Sequence, residues 1–401
     1  MSVPTTNLYN FVHQAAENKF LLRYFYPWGH KNIYNLILLI DENLPKKHYG
    51  PTWDQLPLMI CHDQEPLDFE MYNDEQVEEE LRQPIEKQTH LSKSIYNFYK
   101  GQQLNLLWCQ PYNFYDYAVL LHSELNSTDV IRYESTGNFK SVYWWSHALI
   151  ARDWYRFAEH DIRLQENAET VATWLVYARD TTGKRTYRKT FLELIKNTKN
   201  VQIGSIDNTK LVSSDSSAKY DCQDYTKTKC SVVLETCYDQ RIHLTEKTLR
   251  PIACGHPFVV LAGPGTLKYL RTHGFKTFHP FINESYDDII DDTLRMSMIV
   301  EEMNRINNLP PGDQERIWKA CAVITRHNKE LFFSNSFYKS IVNEFKTNLK
   351  KLPENNLSYK KIRKFCRVSR QVEPESVFRE SRRAVIKMAR DIRKSTKLPL
   401  I

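Results

Sequence analysis

The stretch from Cys230 to Pro264, CSVVLETCYDQRIHLTEKTLRPIACGHPFVVLAGP, concentrates the residues best suited to chemistry. It reads as strand, loop, helix, turn and strand. Glu235 falls at the C-terminal end of the first strand, the edge at which open α/β sheets bind ligands. Thr245 is a good N-cap, which places Glu246 and Lys247 on the first helical turn. Free backbone N–H groups and the helix dipole attract phosphate there. Lys247 can add charge to that phosphate, and Glu246 can accept hydrogen bonds from ribose hydroxyls. Gly255 closes the helix, and Pro257 opens the next strand without needing an N–H. Four of the 11 glycines, Gly255, Gly263, Gly265 and Gly274, fall in this neighbourhood. They mark tight backbone beside a ligand, or tight turns alone.

The elements that must position these residues form two alternations. In the first 160 residues, apolar runs at 34–40, 56–62, 104–109, 117–122 and 142–145 are separated by polar, helix-like segments. An acidic stretch from Asp74 to Glu80 reads as a solvated helix face. A second alternation begins near Thr170: strands at 173–178, 201–204, 230–235 and 257–261, with helices at 186–196 and 245–254. Residues 208–229 read as a loop with little regular structure. Residues 286–345 read as mainly helical, with Trp318, Ala322, Phe332, Phe337 and Val342 at core positions. Continuous apolar strands between helices predict mostly parallel sheets. The fold class is therefore α/β, with two Rossmann-like domains. The boundary falls near 150–170, dividing the chain into domains at 1–160 and 161–350 and a tail at 351–401.

The 401-residue length fits two domains, because single cores stop growing at about 250–300 residues. The formal net charge is +7, but residues 351–401 carry 15 Lys or Arg against 5 Asp or Glu, which leaves the body at −3. In the tail, Phe378, Val385, Met388 and Ile392 fall on one helical stripe among arginines and lysines. That pattern suits a helix capping the fold, or one resting on an anionic membrane surface or on DNA. No apolar run reaches the roughly 20 residues of a membrane helix. The N-terminus lacks a charged start followed by an apolar stretch, so a cytoplasmic protein is expected, with peripheral membrane contact through the tail. The eight cysteines show no C-x-x-C spacing and read as buried thiols in a reducing compartment. No metal site is expected, since no cysteine pair is followed by a histidine pair and no D-x-D ends a strand. The Asp287-Asp288 and Asp291-Asp292 pairs lie in a helical region. No G-x-G-x-x-G follows a strand, which argues against a nicotinamide-dependent oxidoreductase, and the lack of G-x-x-x-x-G-K-[ST] excludes a P-loop NTPase.

The order of acidic strand end, loop, T-E-K, apolar helix and G-x-P-x-V-V-L resembles the donor-binding motif of the α1,3-fucosyltransferase family. Glu235, Thr236 and Cys237 stand where that family has Glu-Asn-Ser. Thr245, Glu246 and Lys247 match its T-E-K, and Gly255, Pro257 and Val259 to Leu261 match the following turn and strand. The match covers about 35 residues. WLVYARDTTGKRTYRKTFLELI resembles the family's strand that leads through a basic loop into a helix. Arg188 best matches the arginine on the donor phosphate, with Lys184 and Arg185 beside it. CHDQEPLDF resembles the acceptor-side E-S-P element, and Glu65 then matches the general base. His62, Asp63 and Glu124 are rivals for that role. His147, within YWWSHALIARDWYRFAEHD, is a candidate for donor or acceptor contact, or a structural histidine.

The resemblance implies a GT-B-type glycosyltransferase, with its two domains facing a cleft. Arg188, Arg185, Glu235, Thr245, Glu246 and Lys247 hold the nucleotide-sugar donor, and Glu65 deprotonates the acceptor hydroxyl. It further implies inversion at the anomeric carbon, no required cofactor, and a GDP-sugar in preference to a UDP-sugar. The acceptor is a glycan, or alternatively DNA or another macromolecule engaged through residues 351–401. A non-catalytic GT-B-like binding protein is the remaining alternative.

Overall fold

A computed structural model describes residues 11–12, 14–17, 19–24, 56–62, 113–166, 168–178, 181, 185–204, 217–358 and 360–361. The expected strands at 34–40 and 104–109, the acidic stretch from Asp74, Lys184, and the tail beyond Lys361 lie outside these residues. So do Asp63 and Glu65.

The fold is α/β and its described ladders are parallel. Strands β1 (Leu21–Tyr24), β2 (Leu58–His62), β3 (Ala118–His122) and β4 (Phe139–Tyr143) form one sheet in that order. Strands β5 (Trp174–Val176), β6 (Val201–Ile203), β7 (Cys230–Leu234) and β8 (Phe258–Leu261) form the second, in the order β6-β5-β7-β8. Two compact units contain these sheets. One holds Ser123–Ser127 and Trp145–Glu344 with the second sheet. The other holds β1 to β3, Thr128–Trp144 and the described residues from Phe345 to Lys361.

In the unit of the first sheet, β3 is buried along its whole length. Helix α1 (Thr128–Ser135) joins it to β4, burying Val130 and Tyr133, with Tyr133 edge-on to Phe139 at 5.7 Å. The expected strand at 142–145 instead starts at Phe139 and stops at Tyr143. Trp144 still donates its amide to the His122 carbonyl at 3.0 Å, and its ring packs on Phe345, 5.6 Å between ring centres. Asn355 bonds both backbone groups of Tyr117, accepting from its N–H at 3.2 Å and donating to its carbonyl at 3.0 Å.

In the other unit, helix α2 (Ser146–Trp154) buries His147, Ala148, Ile150 and Ala151. Helix α3 (Tyr187–Leu194) follows β5. The expected loop at 208–229 contains a short helix, α4 (Cys222–Thr226), because Asp221 caps it by accepting from the Gln223 amide at 2.9 Å. Helix α5 (Glu246–Cys254) starts after its N-cap Thr245 and ends at Gly255, whose φ of 72° is left-handed. Helix α6 (Thr266–Thr272) is capped from a distance. The Asp287 carboxylate accepts the Leu267 and Lys268 amides at 2.9 and 3.1 Å, so one of the Asp287-Asp288 pair is a structural cap.

Helices α7 (Asp292–Asn307), α8 (Pro311–Phe333) and α9 (Asn335–Lys350) occupy the expected helical region. The inward face of α8 is shifted from expectation: Cys321, Thr325, Asn328 and Phe332 are buried, Trp318 is half-buried and Ala322 exposed. On α9, Phe337, Ile341 and Phe345 point inward at helical spacing, and Val342 is half-buried. The cysteines among the described residues are free thiols, all buried except the half-buried Cys222. No described helix is long and apolar enough to cross a membrane.

Candidate functional site

The order of the second sheet reverses direction at β5. The chain passes from β5 through α3 to β6 on one side, then returns to place β7 on the other. That reversal is the switch point, outside whose carboxyl edge open α/β sheets bind ligands. Glu235 directly follows β7 and extends its ladder, its amide donating to the Leu261 carbonyl at 3.0 Å.

Glu235 is wholly buried, and its carboxylate is spent on α5. It accepts the Thr245 hydroxyl and amide at 2.6 and 3.1 Å, and the Thr248 hydroxyl and amide at 2.6 and 3.2 Å. The Lys247 amide goes to the Thr245 hydroxyl oxygen at 3.3 Å. The expectation of an open first turn is therefore corrected. The positive end of the helix dipole holds an anion that the chain itself supplies, and the Lys247 and Thr248 amides are already taken. Thr245 acts as the expected N-cap and also as a ligand of Glu235.

The side chains of Glu246 and Lys247 form the polar surface of that turn. Lys247 Nζ lies 2.8 Å from Glu246 Oε1 and 3.2 Å from the hydroxyl oxygens of both Thr236 and Thr245. Burial pushes the Glu246 carboxyl upward, but the Lys247 ammonium and then His147 outweigh it, and its pKa stays well below the usual carboxylate range. Glu246 Oε2 faces His147 Nδ1 at 3.6 Å. The His147 ring meets that of His243 edge-on at 5.0 Å. Neither ring nitrogen of His147 has a hydrogen-bond partner, and His243 Nε2 has none either. Burial, followed by the neighbouring His147, holds the His243 imidazole well below its ordinary pKa. His243 was not among the expected site residues. The only signal for it is its place two residues before the N-cap.

Long-range bonds set this geometry. Trp145 Nε1 donates to the Leu244 carbonyl at 2.8 Å, fixing the backbone just before Thr245. The Trp145 ring is held among Tyr269, His273, Phe275 and Phe337. Ser123 contacts His243 Nδ1 through both its hydroxyl and its carbonyl, at 3.3 and 3.2 Å.

Arg188 stands on α3 with its guanidinium at the end of β7. Its Nη2 donates to the carbonyls of Leu234 and Glu235 at 2.9 and 3.0 Å. Tyr187 adds a hydroxyl bond to the Glu235 carbonyl. Arg185 is half-buried two residues before α3. Glu124 is buried and paired, its Oε2 lying 3.2 Å from Arg241 Nη1. Arg241 is also clamped by Asp239, at 2.9 and 2.6 Å. The two segments run antiparallel through reciprocal bonds between Leu125 and Ile242 at 3.0 and 3.1 Å. Gly263 lies against the backbone of Asp239 and Arg241, where a Cβ would stand 2.0 Å from the Arg241 carbonyl oxygen.

The fold thus gathers Arg188, Glu235, Thr245, Glu246, Lys247 and His147 around the start of α5. Glu124 lies on an adjoining segment, in an ion pair. The chemistry this arrangement supports is the binding of an anion by a partly exposed ammonium, Lys247, backed by buried ionised and neutral groups. Comparison with protein-family models, with curated proteins and with solved structures finds no match to this chain.

Proposed function

We propose that this protein is a nucleotide-sugar-dependent glycosyltransferase. The supporting observation is that Thr245, Glu246 and Lys247 stand on the first turn of the helix that follows β7, at the carboxyl edge of a parallel sheet and beside its switch point. The T-E-K resemblance belongs to this same turn. In this reading Lys247 neutralises the leaving diphosphate and lowers the barrier by fixed electrostatics. Glu246, held ionised, accepts hydrogen bonds from the donor's ribose hydroxyls. Glu235 and Arg188 shape the turn and the strand end that carry these groups.

The wider scheme is a GT-B-type arrangement with inversion. Glu65 serves as general base on the acceptor hydroxyl, no cofactor is needed, and a GDP-sugar is the favoured donor. The acceptor is a glycan. The +10 charge of residues 351–401 favours a polyanionic partner, DNA or an anionic membrane, as the setting in which the reaction takes place. The test is a thermal-shift screen of nucleotide sugars, combined with measurement of nucleoside diphosphate release without acceptor. A GDP-sugar should raise the melting temperature and release GDP slowly. If no common donor stabilises the protein and none is hydrolysed, the proposal fails.

A further inference from the structure

His147, on α2, is a buried titratable side chain that the proposed reaction does not use. It is 5% exposed, and neither ring nitrogen has a hydrogen-bond partner. A buried polar group left unmet is costly, so the groups around the ring decide what it is for. From α5, Glu246 Oε2 approaches Nδ1 to 3.6 Å, just beyond hydrogen-bond reach. From the segment before α5, the His243 ring meets it edge-on. Lys247 holds the far side of Glu246, and Lys247 and Arg241 both act on His243. The charged groups of α2 itself are committed elsewhere, Arg152 to the carbonyls of Phe332, Phe333 and Ser334, and Asp153 to Arg156. His243 does not compete for a proton, because Ser123 engages its Nδ1 and burial keeps its imidazole neutral.

Glu246 therefore holds one carboxylate between two bases. Oε1 is taken by the Lys247 ammonium at 2.8 Å, and Oε2 is left to His147. Of the two bases, Lys247 is the one that reaches solvent, with its side chain 29% exposed. An external anion that draws this ammonium away leaves the buried Glu246 charge without its partner, and breaking a buried pair on one side is strongly unfavourable. The imidazole already stands at the other oxygen. As an imidazolium it supplies both the missing charge and a donor N–H.

We infer that Glu246 exchanges partners: when Lys247 turns to an external anion, His147 takes a proton from solvent and pairs with Oε2. Anion binding is thereby coupled to proton uptake, and affinity falls as the pH rises. The inference rests on the proposal that Lys247 contacts the donor's diphosphate, but the exchange has a readout that needs no donor.

The first measurement is isothermal titration of the full chain with GDP-fucose in two buffers of different ionisation heat, which counts protons. Both phosphates of this probe are diesters and lack the second proton that a terminal phosphate titrates near neutral pH. The native protein should take up protons, to a limit of one per complex, and bind about tenfold more tightly at pH 6 than at pH 8. His147→Gln, which has no titrating proton, should bind without uptake and without that pH dependence. Binding without uptake by the native protein, or uptake that persists in folded His147→Gln, would overturn the inference and leave the donor proposal standing. The second measurement is an NMR titration of the histidine rings without ligand. In Lys247→Ala the His147 resonance should titrate about one pH unit higher than in the native protein, and adding Glu246→Gln should abolish that rise. An unmoved resonance would overturn the exchange whether or not a donor binds. The ring titration also decides if His147→Gln does not fold, as judged by circular dichroism. A resonance that moves as expected, in a protein that binds no GDP-sugar, would uphold the exchange and sink the donor proposal alone.

Discussion

Glu235 accepts hydrogen bonds from both the hydroxyl and the amide of Thr248, at 2.6 and 3.2 Å, across 13 residues of chain. With the matching pair from Thr245, this ties the end of β7 to the start of α5 through one buried carboxylate. Glu235→Gln turns one acceptor oxygen into a donor that faces donors. A loss of about 2–4 kcal/mol of stability is expected, read as a lower midpoint in urea unfolding. An unchanged midpoint would show that the carboxylate does not hold the turn.

Lys247 and Arg188 should separate binding from stability. The Lys247 side chain is 29% exposed, and its partners are hydroxyls and a carboxylate on its own turn. If the donor is a GDP-sugar as proposed, Lys247→Ala should weaken GDP binding about tenfold, or 1.4 kcal/mol, with little change in melting temperature. Arg188→Ala removes a buried guanidinium from two strand-end carbonyls. It should cost about 2–3 kcal/mol of stability as well as affinity. Titration and thermal unfolding of the two variants, run side by side, check this split.

Gly263→Ala forces a methyl group against the Arg241 carbonyl, which has no freedom to move while Arg241 is clamped by Asp239 and Glu124. A loss of about 2–3 kcal/mol is expected. Gly312→Ala, where a Cβ meets open space, is the control that should leave unfolding unchanged.

His256 is buried between Ser231, whose hydroxyl lies 3.0 Å from Nδ1, and Thr228, whose carbonyl lies 3.1 Å from Nε2. Burial brings its pKa down to about 4 from an ordinary 6.5, against a smaller upward pull from the Thr228 carbonyl. The unfolded chain binds a proton near pH 6.5 and the folded chain only near 4. Stability is therefore full above 6.5, falls as the pH drops through that window, and levels off below it, a change of about 3 kcal/mol. His243, lowered in the same direction, adds to the slope. Urea midpoints measured between pH 4 and 7 should fall less steeply for His256→Asn. An unaltered slope would remove His256 from the account.

On the proposed glycosyltransferase reading, Glu65→Gln should leave GDP binding intact and lower turnover by about 10²–10⁴, as expected for loss of a general base. Steady-state kinetics with saturating donor read this out. Full activity would move the base to Asp63 or another group. Glu124, the third rival, is held in an ion pair with Arg241.

The parts of this protein legible in its sequence are those governed by neighbours along the chain. Apolar runs between turn residues mark β2, β3, β5, β7 and β8 to within a residue or two. Thr245 and Gly255 mark both ends of α5, because capping and left-handed φ are local properties. The inward face of α8 is less legible from apolar spacing. Its buried set includes Thr325 and Asn328, and Asn328 is buried because it bonds both backbone groups of Lys276 at 2.8 Å. Tertiary structure alone decided which charges meet. It brought Glu235 onto the helix N-terminus that the sequence pattern leaves open to phosphate, set His147 against Glu246 across 99 residues of chain, and laid Arg250 over Tyr177. A residue's type fixes the bonds it can make. Which partner it finds depends on where folding places segments far apart in the chain, and no local spacing encodes that.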